Sequence, residues 1–229
     1  MVFDKEPIKR YESWFFTPAG VYVDEKEKAT LLQIMRFKRG EKVLEVGCGT
    51  GRYVEYFNDL GLIATGIEPM DELIRIALQK SKIKKEQIIK SSYEKLPFDD
   101  ESFDNVVSLI ALQFSVDIKA ALKEMVRVAK NKVGIGFLNK NSLTNFFNTK
   151  ERRRLYRDAT PLTAEQLKKF LFDIYGDKIK EFEINVKYTL YLPVKVGYLA
   201  PFVDDFLEKL NLPFGDYAVM IIKKNKRKF

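Results

Sequence analysis

Glu45, Gly47, Gly49, Gly51 and Glu68 are the residues whose types and spacing point to chemistry. The first four lie in "VLEVGCGTGRY" (residues 43 to 53), an apolar run that stops at an acid and then at three glycines spaced two apart. Glycines at these positions allow a tight turn, close approach of a ligand to the backbone, and N–H groups that point at the ligand from the start of the next helix. Glu68 stands 17 residues beyond Gly51. A carboxylate there can accept hydrogen bonds from two ribose hydroxyls, a role that several adenosine cofactors share.

The dinucleotide fingerprint G-x-G-x-x-G fits poorly, because the spacing here is G-x-G-x-G and Arg52 occupies the next position. The phosphate loop G-x-x-x-x-G-K-[ST] has no counterpart. Glu45, two residues before the first glycine, would repel a pyrophosphate and suits a cationic ligand. S-adenosylmethionine meets that requirement, with an adenosine, an α-ammonium group, a sulfonium and no phosphate.

The elements that must position these residues alternate between strand and helix. Lys42 to Val46 reads as a short strand buried on both faces, and a helix from Arg52 to Leu60 follows, closed by Gly61. "LIATGIEP" is a second strand ending at Glu68, "MDELIRIALQKS" a helix, "EQIIKSS" a third strand and "FDNVVSLIAL" a fourth. In "DIKAALKEMVRVAK", Ile118, Ala121, Leu122, Met125 and Val126 recur at helical spacing. "KVGIGFLN" is the fifth strand. Strands alternating with helices of this length imply right-handed crossovers and a parallel sheet. Residues 1–40 form a helical preface, in which "EKATLLQIMR" puts Ala29, Leu32 and Met35 near one face. Residues 139–162 lack clean periodicity, Thr163 caps a helix with Gln166 completing a capping box, and "EFEINVKYTLYL" and "YAVMIIKK" are two further strands joined by a segment holding Pro193, Pro201 and Pro213.

"VLEVGCGTG" resembles motif I of the class I S-adenosylmethionine-dependent methyltransferases, and "GIEP" resembles motif II with its ribose-binding acid. "SYEKLPFDDESFDNVVSLIALQF" is similar to the D-A-E-x-L-P-F-x-D-x-S-F-D stretch of the type 11 branch, which includes the ubiquinone and menaquinone C-methyltransferases. The resemblance covers about residues 40 to 138, and "FGDYAVMIIKK" looks like the branch's last strand. It implies an α/β fold: a Rossmann-like, doubly wound, seven-stranded, mostly parallel sheet with an antiparallel last strand and helices on both faces. It also implies one domain over 1–229, with an N-terminal helical cap (1–40), a cofactor-binding core (41–138), a substrate-side insertion (139–180) and C-terminal strands (181–229).

Carried over by position, the resemblance puts the methionine end of S-adenosyl-L-methionine on the turn of Glu45, Gly47, Cys48, Gly49 and Gly51, and the ribose on Glu68. Pro69 and Met70 pack on the adenine, and Tyr93 lies beside the base with its backbone N–H available to a ring nitrogen. Leu109 and Ile110 line the methionine arm through backbone atoms. Ser92 stands where the branch usually has an Asp for the adenine amino group, so that bond is weaker by roughly 1 kcal/mol. "AKNKVGI" replaces the branch's lysine-proline-glycine-glycine turn, a structural departure. "YESWFF" puts Tyr11, Trp14 and Phe15 at helical spacing, which by default means core packing. In the branch a similar aromatic segment folds over the cofactor, which makes Tyr11 and Trp14 candidates for closing the site.

Composition bounds the rest. The chain has 229 residues, 46% hydrophobic and 31% charged, the balance of a soluble globular protein. No apolar run approaches the roughly 18 residues of a membrane span, and Met1 to Arg10 carries no signal-peptide core, so a cytoplasmic location is expected. A lysine- and glutamate-rich, glutamine-poor surface would also suit a thermophile. The absence of histidine removes histidine bases, histidine metal sites and Ser-His-Asp triads, and the single cysteine, Cys48, removes a disulfide framework and cysteine metal clusters. No metal is expected, and no catalytic residue stands out. The formal charge of +8 and the tail "KKNKRKF" invite a nucleic-acid reading, but acids are interspersed almost everywhere.

The acceptor is therefore read as a small molecule. Its pocket is expected in the segment from Asn139 to about Leu162, where Tyr156, Arg157 and Arg152 to Arg154 would recognise an anionic substrate or form a solvated basic helix. An RNA methyltransferase and a non-catalytic cofactor-binding module are the alternatives.

Overall fold

In the computed structural model, the residues described are 5–143, 159–192 and 200–225. Short apolar runs form seven strands there: β1 (Lys42–Val46), β2 (Ile63–Glu68), β3 (Ile88–Lys90), β4 (Phe103–Leu109), β5 (Ala129–Leu138), β6 (Phe182–Thr189) and β7 (Tyr217–Lys224). They make one sheet of order β3-β2-β1-β4-β5-β7-β6. Pairings among β1 to β5 are parallel, and β7 runs antiparallel to both β5 and β6. The strand order turns back at β1, which pairs with β2 on one side and β4 on the other. Beyond the carboxyl ends of those strands such a sheet opens its ligand crevice.

Among the described residues seven α-helices accompany the strands: α1 (Lys5–Trp14), α2 (Pro18–Met35), α3 (Arg52–Asp59), α4 (Asp71–Ala77), α5 (Ile118–Val128), α6 (Ala164–Tyr175) and α7 (Ala200–Leu210). They divide between two cores. Leu31, Met35, Val54, Phe57 and Ala77 of α2, α3 and α4 pack on one face of the sheet. Leu122, Met125, Leu167 and Leu171 of α5 and α6 pack on the other. The doubly wound architecture with an antiparallel last strand is thus present. No described helix is long and apolar enough to cross a membrane.

Local chemistry sets the boundaries. Thr17 caps α2 by accepting from the Gly20 N–H, with Pro18 beginning the helix. Thr163 and Gln166 form the expected capping box on α6.

Two expectations need correction. The inward face of α2 carries Glu27, Thr30, Leu31 and Met35, while Ala29 is exposed and Leu32 only half-buried. That helix begins nine residues earlier than "EKATLLQIMR", so its phase is set by the longer element. The segment between the last two strands, read as proline-bearing connection, contains α7. Asp204 holds it: its buried carboxylate accepts from the Tyr191 and Leu192 N–H groups at 2.8 and 3.0 Å and from the Tyr22 hydroxyl at 2.7 Å. The basic run Arg152 to Arg154, Tyr156 and Arg157 lie outside the described residues.

Candidate functional site

The glycine turn joins β1 to α3 at the carboxyl edge of the sheet, and all three glycines adopt left-handed backbone, with φ of 81°, 54° and 77° at Gly47, Gly49 and Gly51. Their reasons differ. A Cβ on Gly47 would sit 2.1 Å from the Ala111 Cβ and 3.0 Å from the Tyr93 hydroxyl, and one on Gly51 would sit 2.6 Å from the Ile83 Cδ1. A Cβ on Gly49 would meet nothing within 4 Å. Gly47 and Gly51 therefore serve packing inside the protein, and only Gly49 borders open space.

Four of the turn's amides are committed internally, where the sequence pointed to N–H groups directed at a ligand. Gly47 and Cys48 both donate to the Ile67 carbonyl, at 2.8 and 2.9 Å, and Gly51 donates to the Cys48 carbonyl at 2.8 Å. Gly49 donates to Glu68 Oε2 at 3.0 Å, while Glu68 Oε1 accepts from the Met70 N–H at 3.1 Å. Phosphate sites of this topology depend on free turn amides. Four of them are spent here, next to two buried carboxylates.

Tyr11, Phe15, Glu27, Glu45, Gly47, Cys48, Gly49, Thr50, Arg52, Tyr53, Leu109 and Ile110 line a cavity of about 60 Å³ against this turn. Ordinary small-molecule pockets run to about 300 Å³ or more, so the enclosed part accommodates one end of a ligand of that size. Three buried polar atoms of the lining residues have no hydrogen-bond partner: Glu45 Oε2, Arg52 Nε and Tyr53 OH. Leaving such atoms unpaired in a fold costs about 1–3 kcal/mol apiece, the mark of a site awaiting a polar ligand.

The electrostatics agree. Burial pushes the Glu45 carboxyl well above the ordinary carboxylate range; the Arg52 guanidinium opposes the rise and Glu68 adds to it. Burial also raises Glu68, against the two backbone hydrogen bonds from Met70 and Gly49. The Cys48 thiol is raised well above its usual value by burial, with Glu45 and Glu68 adding to the effect, and its side chain packs on Gly66 of β2. It is buried in the turn, 5% exposed.

The N-terminal helices roof the turn. Glu12 of α1 accepts from the Thr50 hydroxyl and, at 3.3 Å, from Lys80 Nζ. Arg52 is ion-paired with Asp24 of α2, and its guanidinium lies 3.2 Å from the centre of the Phe15 ring. At the other wall, Ile110 is a β-branched residue with φ of 67°, a conformation that costs about 1–3 kcal/mol and clusters at functional sites. It is pinned by its N–H on the Gly136 carbonyl at 2.7 Å and by the Gln113 N–H on its own carbonyl at 3.0 Å. The buried Gln113 amide extends the clamp, accepting from the Leu138 N–H at 2.7 Å and donating to the Thr160 carbonyl at 2.8 Å.

Residues 44–135 match the type 11 family model, described as a methyltransferase domain. That segment, less than half of the chain, is similar to the methyltransferase domains of the type 11 branch. The chain is 28% identical over 209 residues to an uncharacterized protein of Methanocaldococcus jannaschii, a match spanning 83% of this chain and 79% of that one. It is 32% identical over 105 residues to the demethylmenaquinone methyltransferase of Staphylococcus epidermidis, a match spanning 44% of this chain and 43% of that enzyme. A crystal structure of a SAM-dependent methyltransferase from Thermotoga maritima has the same fold, with a TM-score of 0.67 at 22% identity over 95% of this chain and 96% of that one.

The cavity brings together Tyr11, Glu45, Gly47, Cys48, Gly49, Leu109 and Ile110 from the expected set. Gly51 stands behind it against Ile83 and Ala77. Glu68 is tied to the turn through Gly49, and Tyr93 packs over Gly47. Pro69 and Ser92 are exposed and Met70 half-buried, all outside the enclosed part. Trp14 does not line the cavity; Phe15 does, with Trp14 edge-on to it at 4.9 Å. Helix α1 ends at Trp14 and the chain then turns, so helical spacing extended one residue too far. Glu27, Thr50, Arg52 and Tyr53 were not among the expected site residues. The signal for Arg52 in the sequence is a cation directly following the third glycine.

Proposed function

We propose that the protein transfers a methyl group from S-adenosylmethionine to a small-molecule acceptor. The observation that carries the reading is the group of unpaired buried polar atoms, Glu45 Oε2, Arg52 Nε and Tyr53 OH, around one cavity beside a turn with four of its amides already spent. The buried Glu45 carboxyl suits a cationic ligand group, and a pyrophosphate would meet carboxylates beside a turn with four of its amides already spent.

S-adenosylmethionine supplies a methyl group on a sulfonium, an already activated leaving group. What the chain must do is hold donor and acceptor in line and keep the site dry, a positional contribution. Glu45 and the turn through Gly49 receive the methionine end, and Gly49 lets it approach the backbone. Glu68 takes the ribose: each oxygen already accepts one backbone N–H and keeps a further lone pair for a hydroxyl. Pro69, Met70, Ser92 and Tyr93 form the more open rim for the adenine. Leu109 and the strained Ile110 fix the wall where the acceptor meets the methyl group. Tyr11 and Phe15 cover the site, and Trp14 is withdrawn from it. Residues 1–40 act as a cap on a core of 41–138, with 139–180 on the acceptor side and 181–229 completing the sheet in one domain.

The staphylococcal relative, a demethylmenaquinone methyltransferase, supports a small acceptor. Transfer of a labelled methyl group from S-adenosylmethionine should be followed into small-molecule extracts and into total RNA. Label in the small-molecule fraction is the expected result. Label in RNA, with binding that weakens steeply as salt rises, would identify the RNA methyltransferase instead. Binding without transfer to either fraction would identify a non-catalytic module.

A further inference from the structure

Helix α7 turns its polar residues toward the protein and its aromatic residues outward. Asp204 is held by Tyr22, and Asp205 and Glu208 by Lys26 of α2 at 2.5 and 3.0 Å. Leu207 packs against the core beside them. The outer side carries Phe202, Phe206 and Leu210, which are 76%, 62% and 53% exposed, with Val203 flanking them. A spacing of four residues stacks these three side chains one above another on a single helix face. The helix packs on β6, the edge strand of the sheet, and Asn211 just past its end occupies part of that edge. The Asn211 Nδ2 donates to the Val186 carbonyl at 2.9 Å, and its Oδ1 accepts from the Tyr188 N–H at 3.0 Å. An open strand edge would invite pairing with another chain; here the side-chain amide takes the place of a neighbouring strand, and the larger surface beyond β6 is the apolar stripe of α7. The two phenylalanines alone expose on the order of 250 Å², and a contiguous exposed patch of several hundred Å² marks an interaction site.

Charge and symmetry decide what covers the stripe. Asp205 is 63% exposed at its margin, and Lys209, one turn further on, is exposed as well. An anionic bilayer would meet that carboxylate and be repelled by it. A second copy of the chain meets it with a lysine. When two α7 helices run antiparallel about a two-fold axis through Phe206, Phe202 of each stands against Leu210 of the other. Lys209 of each then falls about 3 Å along the axis from Asp205 of the other, on the same side of the pair. The stripe is thus self-complementary in shape and in charge, as a two-fold interface requires. We propose that α7 joins two copies of the protein into a dimer through Phe202, Phe206 and Leu210. The stripe is smaller than the about 800 Å² per partner of a tight interface, so the dimer is a weak one, with a dissociation constant on the order of micromolar. It leaves both ligand crevices open, because β1 lies four strands along the sheet from β6.

Sedimentation of the intact chain over a range of concentrations tests this. The wild type should pass from monomer to dimer mass in the micromolar range. Phe206→Glu changes a side chain that is exposed in the single chain, so it should keep the wild-type melting temperature and remain a monomer throughout. Lys209→Glu sets a carboxylate against Asp205 of the second copy and should weaken the dimer several-fold, an effect that shrinks at high salt. A wild type that stays monomeric at every concentration would overturn the proposal. So would a dimer that survives Phe206→Glu, because it would be using another surface, and a dimer unchanged by Lys209→Glu would overturn the antiparallel register. Flotation with vesicles of phosphatidylglycerol and phosphatidylcholine covers the other occupant. A monomeric wild type carried by the vesicles and released by Phe206→Glu would show that the stripe takes a lipid surface, against the proposal.

Discussion

The three turn glycines should respond to alanine in opposite orders for folding and for binding. All three have positive φ, and forcing an L-residue into left-handed backbone costs about 1–2 kcal/mol. At Gly49 that is the whole cost, because a Cβ meets nothing within 4 Å. At Gly47 the Cβ arrives 2.1 Å from the Ala111 Cβ and at Gly51 2.6 Å from the Ile83 Cδ1. Overpacking adds about 1–3 kcal/mol. Ile83 presents the end of a flexible side chain and can give way, whereas Ala111 cannot move without its backbone. The destabilisation should therefore rank Gly47→Ala above Gly51→Ala above Gly49→Ala. For a domain of this size about 2–4 °C of Tm accompanies each kcal/mol. Gly49→Ala should thus lose roughly 2–8 °C and Gly47→Ala up to about 20 °C. Binding should run the other way, with Gly49→Ala, the best folded of the three, losing S-adenosylmethionine most severely because its methyl occupies the ligand's approach. Thermal melts and calorimetric titrations of the same three preparations decide it. Wild-type affinity in Gly49→Ala would refute the reasoning, as would a melt in which Gly49→Ala is the least stable.

Burial raises the carboxyl groups of Glu45 and Glu68 above the roughly 4.3 of an unfolded glutamate. The folded state therefore holds protons that the unfolded chain has released, so their contribution to stability is full below the unfolded value and is lost as pH rises through the folded values. A cation against Glu45 reverses the burden: cofactor affinity should rise with pH over that window with net proton release. Titration in buffers of different ionisation enthalpy measures this, and affinity that falls with rising pH would contradict it. Glu68→Ala strands the Gly49 and Met70 N–H groups, so urea melts should show a loss of about 3–6 kcal/mol from two charged hydrogen bonds. Cofactor affinity should fall 10- to 100-fold with it, a loss of about 1.5–3 kcal/mol; an unchanged dissociation constant would remove Glu68 from the site. Cys48 is 5% exposed and its thiol is held protonated by burial, so a thiol reagent should label the native chain only at the rate at which the turn opens. Fast stoichiometric labelling of the native protein would show a different turn.

The fold was legible because its signals are local. Lys42 to Val46, Ile63 to Glu68 and the helix of Ala121, Leu122, Met125 and Val126 each bury what their own periodicity announces. The turn and Glu68 were legible because backbone geometry there demands particular residues. What escaped depends on distant partners. Helix α7 is organised by Asp204 reaching Tyr22, 182 residues away in sequence. Arg52 becomes a site residue only through Asp24 and Phe15, and Phe15 replaces Trp14 because α1 ends between them. The strain at Ile110 is a matter of backbone conformation, imposed by Gly136 and Gln113, that leaves no mark on residue type. Its nearest sequence trace is Gln113, a buried amide inside the apolar run "ALQF".

The central claim is that the turn and its cavity hold a cationic, phosphate-free adenosyl ligand. Calorimetric titration of the purified chain with S-adenosylmethionine, with NADH run in parallel, tests it most directly. The expected result is saturable binding of S-adenosylmethionine at one site per chain and no heat with NADH. Binding of NADH, or no binding of S-adenosylmethionine, would contradict it.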